Sequence, residues 1–83
     1  MTEFYVSLHS VMDVKEFVAM ASALTVDVDV TSGRYTVDGK SILGLCSLAL
    51  EHPVKVQVYG EAADGQGFRT SVEKMIVEPP KED

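Results

Sequence analysis

Val54-Lys-Val-Gln-Val58 alternates apolar and polar residues without a break, which reads as a β-strand with one dry and one wet face. Val26-Asp-Val-Asp-Val30 repeats the pattern, and Thr2–Leu8 carries Phe4, Val6 and Leu8 on one parity. Strands of this kind belong in an antiparallel sheet that is covered on one side and solvated on the other. The cover has to come from the segments between them, and there the period changes. Val11, Val14, Phe17, Val18, Ala21 and Leu24 recur at three- and four-residue spacing, with Asp13, Lys15 and Glu16 off that stripe. This predicts an amphipathic helix over Val11–Leu24, opened by Ser10-Val-Met-Asp13 as a capping box with Asp in place of Glu.

The middle of the chain holds its most specific stretch. Thr31-Ser-Gly-Arg34 is a tight turn between Val26–Val30 and Tyr35-Thr-Val37, and together they predict a hairpin. Asp38-Gly39 then reads as a second turn, with glycine accepting positive φ. Ser41 follows as a helix N-cap, ahead of Ile42, Leu43, Leu45, Cys46, Leu48, Ala49 and Leu50. A helix apolar nearly all round is either fully buried or shows part of its surface to a partner. Pro53 stops it and opens the strand over 54–58. Gly60–Gly67 is a loop or a weak helix start, and Phe68, Val72, Met75 and Ile76 form a last helical stripe. The expected order is β-α-β-β-α-β-α. It describes an α+β open-faced sandwich, with a four-stranded antiparallel sheet covered on one face by three helices. Residues 1–78 are read as one domain, and 79–83 as a flexible acidic tail containing Pro79-Pro80.

Composition closes off several functions. A chain of 83 residues supports one modest core, and 46% hydrophobic residues favour folding over disorder. Net charge of −6 argues against non-specific nucleic-acid binding. Arg34, Lys40 and Lys55 are too few to call a basic patch. The lone Cys46 makes no internal disulfide and reads as a small hydrophobe within its helix. Asp27 and Asp29 suit the wet face of a strand better than a metal site, because hard cations want more converging oxygens. No metal or cofactor is expected. With no membrane-length apolar run and no basic-then-apolar leader, the expected setting is the cytoplasm, without membrane contact.

Val30-Thr-Ser-Gly-Arg-Tyr-Thr-Val-Asp-Gly-Lys-Ser-Ile-Leu-Gly-Leu-Cys-Ser-Leu48 resembles the HPr family, the histidine-containing phosphocarriers of the phosphoenolpyruvate:sugar phosphotransferase system. In that family a hairpin leads into Lys-Ser-hydrophobic-hydrophobic-Gly and a short helix. The likeness runs on through Gly60-Glu-Ala-Ala-Asp64 to the last helix, over about residues 14–78. It implies an HPr-like version of the sandwich above. It also implies a protein that is no enzyme but at most a phosphoryl carrier, taking the group from enzyme I on a histidine and passing it to sugar-specific components. In many Gram-positive members the serine matching Ser41 is phosphorylated by an ATP-dependent kinase, and that form binds transcriptional regulators.

The family's N-terminal motif, Gly-hydrophobic-His-x-Arg-Pro-Ala, is where this sequence departs. Counting back from Lys40-Ser41 sets Ser10 at the histidine, Met12 at the arginine, Asp13 at the proline and Val14 at the alanine. A serine ester is too stable to hand a phosphoryl group onward, Met12 brings no positive charge, and Asp13 repels an incoming phosphate. The resemblance therefore implies a degenerate site and a regulatory, protein-binding role within the phosphotransferase system or toward a transcriptional regulator. In that reading a serine kinase acts at Ser41, and Met12, Lys40, Ile42, Leu43 and Cys46 form the docking surface. Two alternatives stay open. One is a working carrier through His9, one position before the expected histidine; the other is a non-catalytic scaffold. His9 also fits a solvent-exposed strand end, Ser41 a plain N-cap, and His52 the negative end of a helix.

Overall fold

The computed structural model describes residues 1–48 and 51–80. Ala49 and Leu50, expected in the second helix, and the last three tail residues lie outside the described residues. Among the described residues, five strands and three α-helices follow in the order β1 (Thr2–Val6), α1 (Val11–Ser22), β2 (Val28–Ser32), β3 (Tyr35–Asp38), α2 (Ile42–Leu48), β4 (Val54–Val58), α3 (Ala62–Ser71) and β5 (Ile76–Val77), with a 3-10 turn over Glu73–Met75. The sheet runs β3-β2-β4-β1-β5, and each neighbouring pair is antiparallel. The expected architecture is therefore present, with one correction: the sheet has five strands, not four. Ile76 leaves the helical stripe because the chain after Val72 turns through the 3-10 segment and pairs Val6↔Ile76 and Tyr5↔Val77 along β1.

Alternation sets the register. Val6↔Val54, Phe4↔Val56 and Val30↔Val56 put apolar side chains on the helix side, while Glu3↔Gln57 and Thr31↔Lys55 face the open side. Phe4, Val6, Leu8, Val28, Val30, Val54, Val56 and Val58 meet Val14, Phe17, Val18 and Ala21 of α1, Leu45 of α2, and Phe68 and Val72 from the last helix onward. The Phe17 and Phe68 rings stand edge to face at 5.2 Å, which adds about 1 kcal/mol to their burial. Among the described residues the core contains no polar or charged side chain. Among them, too, no helix is long and apolar enough to cross a membrane.

Local details depart from expectation for identifiable reasons. The hairpin turn is only Gly33-Arg34, because Thr31 and Ser32 still pair with Thr36 and Tyr35. Gly33 takes φ of +61°, as the first central position of a type II′ turn requires. Gly39 does not take positive φ. A side chain there would put Cβ 2.6 Å from Val28 Cγ1, so glycine is needed for close approach to β2. Helix α1 ends at Ser22 rather than Leu24, and Val11 is 48% exposed, outside the core stripe.

Candidate functional site

Helix α1 begins where β1 hands the chain upward. Leu8 is buried and the Ser7 amide donates to the Met75 carbonyl at 2.9 Å, which anchors the loop that presents His9 and Ser10. Ser10 is extended (φ −152°, ψ 167°), and its Oγ accepts from the Asp13 amide at 3.2 Å. The reciprocal half of the expected capping box differs. Asp13 Oδ2 accepts the backbone N–H of His9 at 2.9 Å, one residue earlier than the usual partner. The His9 ring is exposed, with Nε2 3.3 Å from Ser7 Oγ at the end of the strand. Met12 is 64% exposed. The start of α1 thus carries a carboxylate bonded into its own backbone.

Helix α2 begins with the same device and a different neighbour. The Asp38 side chain accepts the Lys40 amide at 2.9 Å and the Asp38 carbonyl accepts the Ser41 amide at 3.0 Å. These two bonds turn the chain out of β3. Ser41 Oγ accepts the Gly44 amide at 3.1 Å, so the predicted N-cap is present. Residue 44 has no side chain to return, and Lys40 immediately precedes the cap. The Lys40 ammonium donates to the Leu24 carbonyl at 3.0 Å, tying the start of α2 to the segment after α1. Of the expected docking residues, Leu43 is 84% and Ile42 42% exposed, whereas Cys46 is half-buried against the core. Only Leu45 on this helix is buried outright among the described residues.

The remaining candidates fall elsewhere. The His52 Nε2 hydrogen-bonds Ser32 Oγ of the hairpin. Asp29 accepts the Tyr59 hydroxyl at 3.0 Å on the open face, and that bond, helped by slight desolvation and the nearby carboxylates, raises the Tyr59 phenol above its ordinary pKa. No group of three or more metal-binding side chains occurs among the described residues. Sequence reasoning missed the Lys40–Leu24 bond and the Ser32–His52 bond. Both join residues distant in the chain, and neither has a spacing signal.

The domain is a one-sided antiparallel sandwich whose first two helices open on serine caps, beside exposed methionine and aliphatic side chains. Residues 7–77 match the family described as PTS-HPr, the phosphorylation-site component HPr of the phosphotransferase system. The chain belongs to the HPr family. Among solved structures, HPr-C-His from Thermoanaerobacter tengcongensis is similar with a TM-score of 0.72 and 21% identity, over 89% of this chain and 89% of that one. The histidine-containing phosphocarrier protein of a mycoplasma aligns with a TM-score of 0.70 and 11% identity, over 88% and 89%. HPr from Bacillus anthracis str. Ames gives 0.69 and 17%, over 92% and 96%. At these identities the likeness is one of fold. No curated protein matches the chain by sequence.

Proposed function

We propose that this HPr-family protein serves the phosphotransferase system by binding partner proteins, and does not relay phosphoryl groups through the start of α1. The observation that carries the reading is the Asp13 carboxylate, bonded to the His9 amide at 2.9 Å at the helix end where a transferred phosphate would need free N–H groups and positive charge. Ser10 occupies the cap and Met12 the position where the family motif has arginine, so nothing in the first turn of α1 neutralises a phosphoryl oxygen. Control then falls to Ser41. A phosphate there adds nearly two negative charges at a helix N-terminus, beside exposed Ile42 and Leu43. Met12, Ile42 and Leu43 supply apolar contact to the partner, and Lys40 and Cys46 flank the latter two in the chain.

Phosphorus NMR tests the reading. With enzyme I and phosphoenolpyruvate no phosphohistidine signal is expected, and with a serine kinase and ATP an ester signal is expected that Ser41→Ala removes. A phosphohistidine signal that disappears in His9→Ala would overturn the proposal in favour of a working carrier. Partner binding unchanged by Ser41→Ala and by kinase treatment would favour a scaffold role.

A further inference from the structure

The hairpin end of the sheet gathers cations that the fold does not consume. A cleft of about 610 Å³ lies there between the Gly33-Arg34 turn and the end of α2, with Arg34, Tyr35, Ser47 and Glu51 on its walls. A second recess, on the open face, is lined by Thr31, Lys55 and Tyr5. Ser32, Gly33 and His52 line both, so the hydrogen-bonded Ser32–His52 pair is their common wall. The chain has seven Lys and Arg against thirteen acids, yet one of the seven lines each recess, Arg34 the first and Lys55 the second, and one of its two histidines lines both. Among the described residues neither Arg34 nor Lys55 forms an ion pair; the pair that does form is Lys74–Glu16. Tyr35 leaves 67% of its surface exposed beside Arg34, which gives the cleft an aromatic wall. Glu51 is the one carboxylate lining it among the described residues.

We propose that this cleft binds a small phosphomonoester. Arg34 supplies a planar fork suited to two phosphate oxygens, and the imidazole of His52, steadied by the Ser32 hydroxyl, supplies a further donor. Lys55 adds a favourable field from the other side of the shared wall, and the Tyr35 ring packs against the organic part of the ligand. Glu51 opposes the anion and sets an upper limit on affinity. This site is separate from Ser41 and stands whether or not that serine is modified.

The test is an amide-resolved NMR titration of the full chain, first with inorganic phosphate at constant ionic strength and then with ribose 5-phosphate. Saturating shifts are expected at Gly33–Tyr35, Ser47 and His52. Arg34→Gln should weaken binding about tenfold, the size of one charge-assisted contact, and Lys55→Gln about twofold with loss of the difference at high salt. Glu51→Gln should tighten it. Ribose 5-phosphate should bind more tightly than phosphate, and Tyr35→Ala should erase that gap. Unchanged resonances elsewhere in each variant establish that it is folded. Shifts that never saturate, or that saturate at the Ser10–Asp13 or Ser41–Gly44 amides while the hairpin stays still, would overturn the site. So would an Arg34→Gln protein that binds as well as the original.

Discussion

The starts of α1 and α2 are built alike and differ in where the carboxylate beside the cap comes from. Each has a serine whose Oγ accepts the amide three residues on, at 3.2 Å from Asp13 and 3.1 Å from Gly44. At α1 that third residue is an aspartate, and its carboxylate turns back to bond the His9 amide. At α2 it is a glycine, with no side chain to occupy the helix end, and a lysine stands just before the cap. Each end thus has a carboxylate on the amide just before its cap, Asp13 on His9 and Asp38 on Lys40, but only at α1 does it come from the helix's own first turn. The first turn of α2 itself carries no acidic side chain. The cap is the same at both ends, and the residue at the third position is what differs.

The sharpest way to break this contrast is to rebuild the first end. Ser10→His with Met12→Arg and Asp13→Pro restores the residues of the family motif and removes the resident carboxylate. If α1 fails as a phosphoryl site for the reasons given, the triple variant should gain a phosphohistidine signal with enzyme I and phosphoenolpyruvate, from none in the original chain. Ser10→His alone should gain little, because Asp13 still repels the phosphate and no cation faces it. Equal labelling of the single and triple variants would show that Met12 and Asp13 do not matter.

The converse change closes the second end. Gly44→Asp places a carboxylate three residues after Ser41, as at α1, and should abolish kinase labelling of Ser41. A Cβ at residue 44 would lie 3.1 Å from Val37 Cβ, so Gly44→Ala is the control for crowding. Gly44→Ala that is folded and labelled, with Gly44→Asp folded and unlabelled, isolates charge as the cause. If both are labelled alike, the absence of a side chain at 44 is a matter of packing against β3 alone.

Next in size come the caps. Ser41→Ala and Ser10→Ala should each cost about 1 kcal/mol, read from urea midpoints at constant slope. Ser10→Ala should be the milder of the two, because Asp13 still bonds the His9 amide and holds the first turn of α1. Ser41→Ala leaves Gly44 without a substitute acceptor at the cap. Reversal of that order would mean that the Asp13 bond depends on the Ser10 hydroxyl.

What the sequence made legible follows the same physics. The period-2 run at 54–58 announced β4 in full, that at 26–30 announced β2 two residues early, since the strand spans Val28–Ser32, and Ser41 announced a cap. Strand β5 was hidden: Ile76-Val77 is too short to show a period, and Ile76 also continues the helical spacing of Phe68, Val72 and Met75. Val11 fitted the stripe of α1 but is its first residue and stays 48% exposed, whereas Val14 in the same turn is buried. At the candidate site, the Ser10–Asp13 spacing was readable, but the Asp13 carboxylate's actual partner, the His9 amide, depends on how the loop leaves β1. The Lys40 ammonium on the Leu24 carbonyl spans sixteen residues of chain and carries no pattern at all.

The smallest effect is the most discriminating about mechanism. Asp13→Asn keeps an oxygen able to accept the His9 amide and removes only the charge. If the carboxylate acts at α1 mainly as an anion on the helix dipole, the change should cost about 0.5 kcal/mol at low salt, and less as added salt screens the original interaction. If it acts mainly as a hydrogen-bond acceptor, stability should be nearly unchanged at every salt concentration. The first outcome keeps the contrast electrostatic. It means that the start of α1 is negative before any phosphate arrives. Adding Asp13→Asn to Ser10→His with Met12→Arg should then let that pair accept more label than it does beside the native Asp13. The second outcome would reduce the contrast to geometry, and the proposed failure of α1 as a phosphoryl site would then rest on Ser10 and Met12 alone.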